Sequence, residues 1–187
     1  SHGLEQGRLT ATKIDTAIFT NLTRDHLDYH GTMEAYQQAK ALLFRWPSLK
    51  TAILNADDPV VKDFQAQLST EVICWRYSQF PDSDAEFVAL DIQPSLKGLV
   101  INVKTPYGVA NIHSPLLGRF NVSNLLAVLA GLLSIGVSLA QAVQALSRVQ
   151  AVRGRMECIS NGKITAVVDY AHTPDALEKV LSSLREH

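Results

Sequence analysis

Apolar residues fall along this chain in short continuous runs, separated by polar segments with helical spacing. Residues 15–20 (DTAIFT), 51–55 (TAILN) and 71–75 (EVICW) have the length and β-branched content of buried strands. Between them, residues 33–44 and 59–68 repeat their apolar positions with a period near 3.6, as helices do. Strand, helix, strand, helix, strand predicts βαβ units with a parallel sheet and right-handed connections. The pattern then changes. EFVALDIQ, GLVINVKT and GVANIHS are strand-like runs split by PSLKG and PYG, which predicts a small antiparallel three-stranded meander. Helical periodicity returns over residues 121–135 and 139–149, with Ser138 as the expected N-cap of the second.

Around residues 150–157 (QAVRGRME) the chain turns polar and carries a glycine, as an interdomain linker does. Beyond it, KITAVVDYAHTPDALEKVLSSLREH reads as one apolar strand, a polar turn and one helix. A single β–α unit cannot bury its own faces, so a boundary is expected near residues 151 and 152, with the opening of a second domain after it. The fold class expected is α/β: a mostly parallel sheet flanked by helices, an antiparallel meander, and one further β–α unit.

Composition narrows the functions open to such a fold. At 47% hydrophobic and 19% charged residues the chain is globular rather than disordered. A net charge of −1 with no basic run gives no support to a nucleic-acid or membrane-surface role. The longest apolar stretch, LLAVLAGLLSIGVSLA, is broken by Ser and Gly and suits a buried helix better than a membrane span. Cys74 and Cys158 lack metal-site spacing and read as reduced core thiols. The chain opens on SHGLEQ without Met, so it is expected to be cut from a longer one.

The candidate chemistry sits where strands end, the usual ligand-binding edge of an open α/β sheet. NLTRDHLDYHG, residues 21–31, gathers Arg24, Asp25, His26, Asp28 and His30 directly after the first strand. These residues either cap the following helix or line a site for a hard divalent cation. In that helix Thr32 is the expected N-cap. Met33, Tyr36, Leu43 and Phe44 share one face, with Lys40 in its middle. Lys40 either snorkels to water or is a partly desolvated amine, able to add carbon dioxide and become an anionic metal ligand. ILNADD ends the next strand with Asn55, Asp57 and Asp58; Asp58 before Pro59 reads as a helix N-cap, and a phosphate-proximal role is the weaker option. Asn121 and Asn124 lie three apart at a helix start. Asn121 suits a cap, whereas Asn124, inside the helix, suits a ligand contact. Asp169 and His172 end the last strand, where acids meet ribose or metal.

Taken together, SHGLEQGRL, FTNLTRDHLDYHGTMEAYQQAK, LNADD, LGRFNVSNLLA, GRME and VVDYAHTPDALEK resemble, in order, blocks of the Mur ligase family. These are ATP-dependent amide-forming enzymes of bacterial peptidoglycan synthesis. The resemblance covers essentially the whole chain, and SHGL and DHLDYHG are most similar to the branch that adds the third peptide residue. It implies that residues 1–151 are the later part of the central, ATP-binding domain. Residues 152–187 would then hold the linker and the opening of a Rossmann-like C-terminal domain. The family's G-T-N-G-K-T phosphate loop does not occur in the chain, so the chain alone is expected not to ligate and to bind ATP poorly.

The roles that follow are implied by the resemblance. Lys40 would be carbamylated and, with His26, would hold a magnesium ion. Ser1, Gln6 and Arg8 would contact the nucleotide-peptide substrate, UDP-N-acetylmuramoyl-L-alanyl-D-glutamate, with Arg8 suited to a carboxylate. Asn124 would lie near adenine with Asn121 as its companion. Arg155 would reach phosphate and Asp169 ribose, with His172 in the same block. The incoming amino acid would be meso-diaminopimelate, the protein a cytoplasmic monomer, and neither nucleic acid nor membrane a partner. Two rivals remain. One is a sister ligase, whether another Mur enzyme, a lysine-adding one or one like folylpolyglutamate synthetase. The other is a metal-dependent hydrolase using the Asp/His cluster.

Overall fold

A computed structural model describes residues 1–24 and 27–185, the side chains of Leu27 and Asp175 excepted. In chain order the elements are α1 (His2–Glu5), β1 (Thr16–Phe19), α2 (Leu27–His30), α3 (Met33–Ala41) with a 3₁₀ turn (Leu42–Arg45), β2 (Thr51–Asn55), α4 (Val61–Gln65) and β3 (Ile73–Ser78). There follow β4 (Phe87–Ser95), β5 (Gly98–Thr105), β6 (Gly108–Ser114), α5 (Phe120–Ser134), α6 (Leu139–Leu146), β7 (Glu157–Ser160), β8 (Thr165–Val168) and α7 (Pro174–Arg185).

The first six strands form one sheet in sequence order. β1, β2 and β3 are parallel, and β4–β5–β6 is the antiparallel meander. The meander is not separate from the parallel sheet: β3 pairs with β4 in parallel through Tyr77↔Phe87 and Ser78↔Val88. Parallel neighbours normally need a long crossover. Here residues 79–86 loop out and return, so the end of β3 meets only the beginning of β4. Arg76 clamps that loop, its backbone N–H donating to Glu86 Oε2 at 2.7 Å and its guanidinium to Asp84 and Glu86.

β2 is buried at every position, as a central parallel strand covered on both faces must be. Its alternation splits the core. Ile53 joins Tyr77, Phe87 and the meander's Ile101, Val103 and Ile112 under α5 and α6. Ala52 and Leu54 point the other way, onto Phe19, Phe44 and Phe64 beneath α3 and α4. α5 buries Val122, Leu125, Leu126, Leu129 and Leu133, one stripe at helical spacing. Ser138 caps α6 in a full capping box with Gln141.

Several expectations are corrected by packing. The third strand begins at Ile73 and runs on to Ser78 rather than covering residues 71–75. The helix expected over 59–68 is only Val61–Gln65, and α6 stops at Leu146. The terminal piece holds two strands, not one: β7 pairs antiparallel with β8, so Glu157 belongs to a strand and not to the linker. Cys74 is half-buried, but Cys158 is exposed rather than a core thiol, because β7 lies in a two-stranded sheet with open faces. Among the described residues, no helix is long and apolar enough to cross a membrane.

Candidate functional site

The chemistry is built where β1 and β2 end. The segment leaving β1 is stitched to the end of β2. Asn55 Nδ2 donates to the Thr20 carbonyl at 2.7 Å, and Leu22 N–H donates to Asp58 Oδ2 at 2.8 Å. Tyr77, fully buried, donates its hydroxyl to the Phe19 carbonyl at 3.0 Å. Burial first, and then the Asp57 and Asp58 carboxylates, push this phenol well above its ordinary range. Asp57 ties β2 to β3 by accepting from Ser78 Oγ and from Gln79 N–H. The acids of ILNADD are therefore occupied by the scaffold. Asp58 is not the N-cap of α4, which starts at Val61. It accepts from Val60 N–H at 3.0 Å and closes the turn ahead of that helix.

From this anchored strand end the chain makes the single turn α2, passes Gly31 at φ +74° and enters α3. Thr32 caps α3, its Oγ1 accepting from Ala35 N–H at 3.1 Å. Tyr36 and Phe44 are buried, and Met33 and Leu43 half-buried, so the expected apolar face exists. Lys40 is half-buried on it, with Nζ 4.8 Å from the centroid of the Tyr36 ring. It lines a cavity of about 120 Å³ at the end of β1, together with Ser1, Phe19, Thr20 and Phe44.

The amino-terminal helix closes this end of the site. Gln6 Nε2 donates to the Tyr29 hydroxyl at 2.8 Å, and Ser1 Oγ lies 2.9 Å from His30 Nε2. Arg8 is exposed two residues beyond Gln6. His26 and Asp25 lie outside the described residues, and among the described ones no three His, Cys, Asp or Glu side chains are grouped as a metal site. His30 belongs in sequence to the cluster expected to cap α3 or to line a cation site, but its side chain is 1% exposed. No periodic signal marks it, because the burial comes from α1 and α3 closing over it.

Two further groups sit elsewhere. At the start of α5, Asn121 is inside the helix rather than its cap. Its Nδ2 donates to the Leu117 carbonyl at 2.7 Å and its Oδ1 accepts from Asn124 Nδ2 at 3.0 Å, which leaves Asn124 exposed and oriented. In the terminal unit, Asp169 accepts from Met156 N–H at 2.9 Å and from Ala171 N–H at 2.8 Å. The first of these bonds braces Met156 at φ +48°, a conformation disfavoured for a side-chain-bearing residue. The Arg155 guanidinium lies 5.2 Å from the Tyr170 ring centroid, and His172 Nδ1 lies 3.0 Å from the Tyr170 carbonyl. Arg155, Asp169 and His172 are thus gathered at one end of the β7–β8 hairpin.

A parallel sheet with polar side chains at its strand ends, and a lysine presented there by the following helix, defines an α/β domain whose candidate chemistry lies at the edge where open α/β sheets bind ligands. Residues 1–132 match the Mur ligase middle domain, and residues 154–187 match the Mur ligase glutamate ligase domain. The chain belongs to the Mur ligase family. It is 47% identical to UDP-N-acetylmuramoyl-L-alanyl-D-glutamate--2,6-diaminopimelate ligase of Pseudomonas aeruginosa, over 100% of this chain and 38% of that protein. A solved structure of a ligase of the same name superposes with a TM-score of 0.88 at 41% identity, over 100% of this chain and 38% of that one. A folylpolyglutamate synthase of Mycobacterium tuberculosis, solved with ADP and AMPPCP, shares the fold at a TM-score of 0.75 and 23% identity, over 92% of this chain and 39% of its own. The chain therefore spans about 38% of the length of the diaminopimelate ligases it matches.

Proposed function

We propose that the polypeptide containing this chain is an ATP-dependent ligase that joins meso-diaminopimelate to UDP-N-acetylmuramoyl-L-alanyl-D-glutamate. The observation that carries this reading is coverage: the whole chain aligns, at 47% identity overall, with a ligase of that name. The substrate's γ-carboxylate attacks the γ-phosphate of ATP, releasing ADP and forming an acyl phosphate. The amine of the amino acid then displaces phosphate and forms the amide. We assign residues 1–151 to the central domain and 152–187 to the linker and the start of the C-terminal domain. The gap between the two family matches and the separate sheet of β7 and β8 support that boundary.

The first step brings two anions together, so its barrier falls where fixed cations neutralise the developing charge. In this reading Ser1, Gln6 and Arg8 bind the nucleotide-peptide, the Arg8 guanidinium meeting the substrate's carboxylate. Asn124, held by Asn121, meets adenine. Arg155 meets phosphate and Asp169 ribose, with His172 beside them. Lys40 and His26 are the residues that would hold magnesium. An ammonium cannot ligate a cation, but a half-buried lysine at a strand end fits once it carries a carbamate. The ion would supply charge neutralisation at the transferring phosphoryl group. The reaction consumes ATP, and we place it in the cytoplasm, with the protein a monomer.

The test is ligation by the full-length polypeptide, read as ADP release and as amide product. Release that requires both the nucleotide-peptide and meso-diaminopimelate supports the reading. A preference for L-lysine transfers it to the sister ligase. Continued ATP hydrolysis with no amide product when both substrates are present refutes it.

A further inference from the structure

His30 makes contacts that the proposed reaction does not use. Its imidazole is 1% exposed and lies where three elements meet. Its ring stacks on Tyr36 of α3 at 5.0 Å and 22°, faces His2 of α1 at 5.0 Å, and meets Tyr29 of its own helix edge-on at 4.8 Å. Nε2 is 2.9 Å from Ser1 Oγ. Nδ1 is 3.2 Å from Glu5 Oε2, within ion-pair distance but not aligned as a hydrogen bond, and has no hydrogen-bond partner among the described residues. A carboxylate facing Nδ1 favours a proton on that nitrogen. In the neutral tautomer with that proton, Nε2 is an acceptor, and the Ser1 hydroxyl donating to it keeps its lone pairs available for a donor group on a ligand.

We infer that His30 is a positioning residue, which fixes the Ser1 hydroxyl at the substrate end of the site through this buried hydrogen bond. The stacking partners hold the ring in place, and one of them, Tyr36, is also the ring beneath Lys40. A half-buried serine at the N-cap of a four-residue helix would otherwise sample several rotamers, and a ligand would have to order it on binding. The inference rests on the proposal that Ser1 contacts the UDP-linked substrate.

The test uses the full-length polypeptide in steady-state ligation with magnesium-ATP, the nucleotide-peptide and meso-diaminopimelate. His30→Phe keeps a ring to stack but loses the nitrogen. It should raise KM for the nucleotide-peptide about tenfold, the cost of one hydrogen bond, with KM for ATP unchanged. Ser1→Ala should match it, and the double variant should be no worse than either. His30→Gln, whose amide reaches the Nε2 position, should recover most of the loss. An additive double variant, an equal rise in KM for ATP, or no recovery by a folded His30→Gln would overturn the inference. A raised KM in Ser1→Ala beside an unchanged one in His30→Phe would overturn the inference alone. An unchanged KM in Ser1→Ala would refute the substrate role of Ser1 and the inference with it.

Discussion

Tyr77→Phe tests how the site is anchored. The Tyr77 side chain is fully buried, and its hydroxyl donates to the carbonyl of Phe19, the last residue of β1. Phe keeps the ring and its packing, so the perturbation is one buried donor. Leaving the Phe19 carbonyl without it costs about 1–3 kcal/mol. The pH dependence identifies the group. The folded state holds this phenol neutral well above the ordinary range, because it is buried and beside Asp57 and Asp58. The unfolded chain ionises it near pH ~10. Its contribution to stability is therefore whole below that pH and is lost as pH rises toward the folded value. One proton is worth about 1.4 kcal/mol per pH unit, so wild type should lose about 1.4 kcal/mol more than Tyr77→Phe between pH ~8 and ~11. Urea unfolding of both proteins at the two pH values measures this, and taking the difference cancels the other tyrosines and the lysines. A gap between the two that stays constant from pH ~8 to ~11 would refute the argument.

Other outcomes follow from the same contacts. Lys40→Arg keeps the charge but cannot form a carbamate, so kcat of the full-length ligase should fall by at least about a hundredfold, several kcal/mol of lost charge stabilisation; near-normal turnover would remove Lys40 from the site. Phe64→Ala empties a fully buried position whose ring meets Phe19 at 4.7 Å and Phe44 at 5.1 Å, and should cost about 3–5 kcal/mol in denaturant unfolding. Gly98→Ala should destabilise by more than about 2 kcal/mol in the same assay, because its φ is +126° and an added Cβ would collide with the Ser114 carbonyl. The 187-residue chain, which contains no G-T-N-G-K-T block, should show no calorimetric binding of magnesium-ATP at micromolar concentrations.

Local pattern was enough for what depends on neighbours in the chain. The alternation and apolar runs place β1, β2 and the meander. Thr32 and Ser138 announce their helices, because a cap bonds to an N–H three residues on. The face carrying Tyr36, Lys40 and Phe44 follows from helical spacing alone. Ordered blocks over the whole chain pointed to the family, which the matches over residues 1–132 and 154–187 then showed. The tertiary structure decided everything that depends on residues far apart. For Asp57 and Asp58 the sequence offers a helix cap first and a phosphate-proximal role as the weaker option; they serve the scaffold in another way, because the ends of β1, β2 and β3 bring Leu22, Ser78 and Gln79 to them. The joining of meander to parallel sheet rests on two residue pairs across a looped-out segment, which periodicity cannot register. His30 carries no pattern of its own. It is buried because α1 and α3 close over it, and a polar side chain's environment is fixed by what packs around it rather than by its neighbours in sequence.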